Sequence, residues 1–273
     1  MYGQIASENP GNLCSTVAGW GANVISPLFK PAQRGATAVN AFLAAAKARN
    51  LVVGFNADHA REDIQDATRN EATRAWLCEP AIVAACNVYG DLFLEIEVEL
   101  GGVTDASWVT AAQGLVNRLR TAGHLSMIKL GAGSGGRDPM HAIRNAAKVT
   151  DPLGAGYLCY TCQAYYERVV SGWSYQGDVL GLSPTATDPG GAKGVADLLA
   201  QSNLPWIVGL DREDDVGVTV YAELAPELKR VGIGWQWWVL TGDFRSANNM
   251  VDWDLNPNPP KETATIVSAL LKA

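Results

Sequence analysis

The chain has 273 residues, 48% of them apolar, and a formal net charge of -7. That length fits one large domain, and α/β barrels commonly reach it as a single unit. An acidic balance without a basic cluster excludes nucleic acid as an expected partner. The lack of any apolar run of about 18 residues excludes a membrane span. The opening "MYGQIASENPGN" has no basic region followed by an apolar one, so no signal peptide is expected and the chain as it stands reads as a cytoplasmic monomer acting on a small molecule.

Strands and helices alternate along the chain. "YGQIA" (2–6), "NVISPLF" (23–29) and "LVVGFNA" (51–57) read as strands, with a helix at "TAVNAFLAAAKARN" (37–50) between the last two. The strand "LFLEIEVEL" (92–100) leads to the clearest helix, "DASWVTAAQGLVNRLRTAGH" (105–124), which the pattern starts on Asp105 as cap and closes at Gly123. "LSMIKLG" (125–131) is followed by a helix at 138–150, and "GYLCYTCQAYY" (156–166) by one at 190–203. "LPWIVGL" (204–210) precedes a helix at 219–232, and "GIGWQWWVL" (232–240) precedes a last one at 261–273. Eight strand–helix units in strict alternation predict parallel strands with crossover helices, and their number favours a closed (β/α)8 TIM barrel, residues 1–273, over an open sheet. No G-x-G-x-x-G follows an early strand, and "GAGSGG" (131–136) lacks the Lys-Ser/Thr of a phosphate loop, so no nucleotide cofactor is expected.

The five cysteines, Cys14, Cys78, Cys86, Cys159 and Cys162, are odd in number and irregular in spacing, which predicts free thiols rather than a disulfide framework. Cys159 and Cys162 lie three apart on a strand and so on opposite faces. The histidines, His59, His124 and His141, form no i,i+4 pair, and no metal site is expected.

Several segments together resemble glycoside hydrolase family 5, in particular its β-mannanase-like members: "GWGANVI", "LFLEIEVELGG", "AGHLSMIKLG", "DPLGAGYLCYTCQAYY", "LPWIVGL" and "GIGWQWW", in framework order from about residue 17 to 255. The resemblance implies the barrel and a site at the C-terminal ends of its strands. It also implies retaining hydrolysis of β-glycosides by two glutamates, an acid/base on the fourth strand and a nucleophile on the seventh. Glu99 stands at the acid/base position, with Val98 in place of the Asn that usually precedes it. Leu210 stands at the nucleophile position, and the neighbouring Asp211 is expected on the other face. Ser26 replaces an Arg, Asn56 a His, Gln163 a His, Leu240 a Trp, and Lys129 a residue commonly Asp; Gly54 stands where an acidic residue is frequent. Framework kept and polar site positions exchanged is the pattern of a rebuilt site, as in an engineered enzyme.

Glu95, Glu97 and Glu99 alternate along one strand and so share a face. Lys129, on the adjacent strand, is their expected counter-charge. Two chemistries follow. An amine in an apolar pocket has its charged form disfavoured and attacks carbonyls, which would make Lys129 the Schiff-base residue of a retro-aldolase with Glu99 or Tyr165 moving the proton. Val98, Leu210 and Leu240 would then form an apolar wall, with Gln163 and Asn56 beside it. Paired with Glu95 or Glu97, Lys129 is structural instead. The second chemistry uses Glu99 or Glu97 as a general base for a Kemp-type elimination, the substrate stacked on Trp238 or Tyr165. A third expectation is a binding barrel without turnover, holding sugars on aromatics such as Trp173 and Trp253; residual glycoside hydrolysis is a fourth. Glu8, near the uncertain first strand, is left open as a site residue or a loop charge.

Overall fold

The computed structural model describes residues 2–4, 9–29, 34–57, 67–95, 104–132, 139–164, 191–211 and 218–238. Nine strand segments occur among them: β1 (Tyr2–Gln4), β2 (Val24–Phe29), β3 (Val52–Ala57), β4 (Leu92–Glu95), β5 (Met127–Gly131), β6 (Leu158–Thr161), β7 (Gln163–Ala164), β8 (Ile207–Asp211) and β9 (Gly234–Trp238). β1 to β6 pair in sequence order, every pair parallel, and β7, β8 and β9 form a second parallel run. The two runs are continuous. Tyr160 bridges Trp206, Tyr160 N donates to Pro205 O at 2.8 Å, and Gly209 N donates to Cys162 O at 2.8 Å. β6 and β7 are thus one strand interrupted at Cys162, and β9 lies against β1. Eight parallel strands close into a (β/α)8 barrel, as the alternation of the sequence predicts.

The helices around it are α1 (Pro10–Gly19), α2 (Ala36–Lys47), α3 (Ala67–Leu77), α4 (Pro80–Tyr89), α5 (Asp105–Thr121), α6 (Met140–Asn145), α7 (Gly191–Gln201) and α8 (Val218–Arg230). Sequence periodicity assigns no helix to α1, α3 or α4. Each owes its start to local chemistry or packing rather than to an amphipathic stripe. α1 opens on the Asn9 side chain, which accepts from Asn12 N, with Pro10 in the first turn. α3 is polar except at its end, where Trp76 and Leu77 are buried. α4 buries Ile82, Val83, Ala85, Cys86 and Tyr89 on one face, but its exposed face carries Ala81, Ala84 and Val88, so its apolar run shows no helical period in the sequence.

The cap of α5 differs from its expectation. Thr104, not Asp105, is the N-cap, and its side chain and that of Ser107 reciprocally satisfy backbone donors. Asp105 is thereby free to bind the next helix: its carboxylate meets His141 Nδ1 at 2.6 Å and lies 3.7 Å from Arg144. These helix-terminal contacts join α5 and α6, whose N-termini follow β4 and β5. The other end of α5 terminates as expected, with Gly123 at φ +94°.

Between barrel and helices runs the apolar core. Phe29, Phe42, Phe55 and Trp76 pack edge-on and stacked on one side. Trp108, Tyr160 and Trp206 do so on the other, and Trp108 Nε1 donates to Gly131 O at 3.0 Å. The five cysteines are free, and Cys159 and Cys162 are both buried. Among the described residues no group of His, Cys, Asp and Glu could hold a metal ion, and no helix is long and apolar enough to cross a membrane.

Gly54 on β3 leaves no room for a side chain in the lumen. A Cβ there would lie 2.1 Å from Ser26 Oγ and 2.8 Å from two atoms of the Phe93 ring. Gly54→Ala is expected to cost about 3 kcal/mol through overpacking, read as a lower midpoint in urea unfolding at unchanged slope.

Candidate active site at the strand ends

Successive strand residues face opposite ways, so the lumen receives every second residue. Ser26, Glu95, Lys129 and Gln236 fix which parity that is, because their side chains meet one another from β2, β4, β5 and β9. Lys129 Nζ lies 2.5 Å from Glu95 Oε1 and donates to Gln236 Oε1 at 2.7 Å. Gln236 Nε2 donates to Ser26 Oγ at 2.9 Å, and Ser26 Oγ donates to Glu95 Oε2 at 3.4 Å. The four close a ring across the lumen, and none is more than 1% exposed. Lys129 also sits 5.2 Å from the centroid of the Phe93 ring, which gives its charge a quadrupole to rest on. Burial pushes the thiol of Cys159, the register partner of Lys129, up to about 12, against the pull of the lysine charge.

The counter-charge expected opposite the glutamates is therefore present, and Glu95 is the glutamate that takes it. Engaged by a carboxylate and an amide, the Lys129 amine forms part of the barrel's floor. Glu97, Val98, Glu99, Tyr165 and Leu240 lie outside the described residues, as do Glu8, Trp173 and Trp253. Asn56 pairs with Leu28 at the C-terminal end of β3, Gln163 pairs with Gly209, and Trp238 ends β9. All three stand at strand ends where a barrel site forms.

The register of β8 corrects the reading of its end. Gly209 is in register with Gln236, whose side chain points into the lumen, and Asp211 is in register with Trp238. Leu210 therefore has the opposite parity. It is fully buried, as is Val208 two residues before it, and both belong to the apolar core that includes Leu199, Leu224 and Leu228 of α7 and α8. Leu210 is packing for the helices and not a wall of the pocket. Asp211, expected on the outer face, occupies the lumen-facing register position at the C-terminal end of β8. Along "VGLD" the sequence alone does not disclose which residue begins the inward series, because Gly209 offers no side chain.

Barrel layers draw one residue from each alternate strand. Ser26, Glu95 and Gln236 belong to one such layer; Glu95 is in register with Lys129 and Lys129 with Cys159, and two residues beyond Cys159 Thr161 of β6 is the fourth.

 Its hydroxyl is the one member without a partner: Thr161 is 1% exposed and Oγ1 makes no hydrogen bond.

No protein-family model and no curated protein matches the sequence. Solved structures do. The β-mannanase from Streptomyces thermolilacinus with mannohexaose superposes at a TM-score of 0.72 and 14% identity, over 96% of this chain and 84% of that one. The catalytic domain of a mannanase from Streptomyces sp. SirexAA-E gives 0.71 and 17%, over 95% and 82%. Endoglucanase Cel5A from Thermotoga maritima gives 0.66 and 16%, over 99% and 96%. At these identities the likeness is one of fold, the (β/α)8 barrel.

Thr161→Val keeps the shape and removes a buried hydroxyl that bonds nothing. It is expected to stabilise the chain by about 1 kcal/mol, seen as a raised thermal midpoint.

Proposed function

We propose that this chain is a carbohydrate-active barrel that receives a β-linked mannan- or glucan-type oligosaccharide at the C-terminal ends of its strands and cleaves it between two carboxyl groups. The observation that carries the reading is the register of β8 on β9, which gives Asp211 a lumen-facing position at a strand end. Glycoside hydrolysis with retention asks for one carboxylate as nucleophile and a second group as acid/base on the far side of the sugar. This reading assigns the first role to Asp211 and the second to Glu99, four residues beyond the floor residue Glu95. The ligand class comes by analogy of fold with the mannanases and the endoglucanase. The two carboxyl residues come from this chain.

Release of reducing ends from manno- or cello-oligosaccharides is expected of the wild type. Asp211→Asn and Glu99→Gln should each lower it by about 10²-fold or more, with oligosaccharide binding retained. Binding without any turnover in the wild type would leave a sugar-holding barrel and remove the catalytic assignment. Turnover undiminished in Asp211→Asn would remove Asp211.

A second reading keeps Lys129 as the reactive group of a retro-aldolase, the chemistry of a site rebuilt on a retained framework, as in an engineered catalyst. What favours it is the placement of an amine in the lumen with no side chain of its own strand above it, Gly131 being the next inward residue of β5. Borohydride reduction with a β-hydroxyketone should then add mass at Lys129. An unmodified Lys129 after reduction excludes it.

A further inference from the structure

The ring of Ser26, Glu95, Lys129 and Gln236 is an unusual filling for a barrel. Branched apolar side chains normally occupy these layers. Replacing a buried ion pair by apolar side chains of similar volume is frequently neutral or stabilising, so the ring is poorly explained as a device for stability. Its geometry suggests another use. Glu95 and Gln236 come from β4 and β9, on opposite sides of the lumen, and Lys129 joins them with contacts of 2.5 Å and 2.7 Å. Ser26 returns the connection from β9 to β4. Gly54, lacking a side chain, leaves the room that Ser26 and Phe93 occupy. The next lumen-facing residue of β5 above Lys129 is Gly131, so that strand sets no side chain over the amine.

We propose that Glu95, Lys129 and Gln236 are positioning residues that hold the ends of β4 and β9 at a fixed separation for ligand binding, an inference that takes its ligand from the carbohydrate reading above. Directional hydrogen bonds fix the distance and rotation of the groups they join, whereas apolar contacts tolerate sliding. Glu95 is the last residue of β4, and Gln236 precedes Trp238, the last residue of β9, by two, so a displacement at the floor moves both strand ends.

The test is the double variant Glu95→Leu/Lys129→Met in the full chain, followed by thermal unfolding, hydrogen exchange and calorimetry with mannohexaose and cellohexaose. The expected result is a thermal midpoint no lower than wild type. Amide exchange should be about ten-fold faster in peptides covering 92–103 and 234–240 and unchanged in α5 and α7. Affinity should be about ten-fold weaker. Should the double variant fail to fold, Gln236→Leu cuts the same strut at its far end and is read in the same way. Wild-type exchange at both strand ends overturns the proposal, and so does faster exchange with undiminished affinity. A wild type that binds neither sugar sinks the carbohydrate reading and with it the ligand-binding purpose of the strut. Exchange in the double variant separates that outcome from a failure of the strut itself.

Discussion

A charged side chain inside a closed barrel cannot reach water, and its cost there is several kcal/mol unless a counter-charge comes with it. Lys129 is fully buried in the lumen, and the structure around it follows from that constraint. Glu95 supplies the opposite charge from the neighbouring strand, in register with it. The remaining donors and acceptors of the pair draw in Gln236 from across the lumen and Ser26 beside it. Ser26 and Phe93 in turn fill the space that makes a glycine necessary at position 54. A single lysine thus dictates the identity of residues on four other strands.

The ring also separates two regions with different chemistry. Outside the strands, the aromatic clusters of Phe29, Phe55 and Trp76 and of Trp108, Tyr160 and Trp206 seal the helices to the barrel. Inside, the layer is polar and internally satisfied except at Thr161. Carboxyl residues beyond this layer, toward the C-terminal ends of the strands, stand above a floor whose positive charge is already matched by Glu95. Glu95 accordingly belongs to the floor.

Much of this was legible in the sequence for physical reasons that can be named. Strand–helix alternation is imposed by parallel pairing, which needs a crossover helix at each step, so eight units announced the barrel. Lys129 and the glutamates of the neighbouring strand were recognisable as partners because each interrupts an apolar strand and buried charges come in pairs. Helices α3 and α4 were not legible, since one is nearly all polar and the other apolar on every side, and neither carries an amphipathic period. The cap at Thr104 was misplaced by one residue because Asp105 is as good a capping residue in isolation; the capping box with Ser107 and the pull of His141 on Asp105 decided between them.

The sequence by itself determined the fold class, the free thiols and the presence of a charged pair within apolar strands, because each depends on composition and period along the chain. Only the tertiary structure decided which glutamate Lys129 binds, that Gln236 and Ser26 join them, and which way the end of β8 faces. Those outcomes depend on inter-strand register, and a shift of one residue exchanges the two faces of a strand. Gly209 carries no side chain to disclose its parity, so the roles of Leu210 and Asp211 stayed reversed until the pairing of β8 with β9 fixed them.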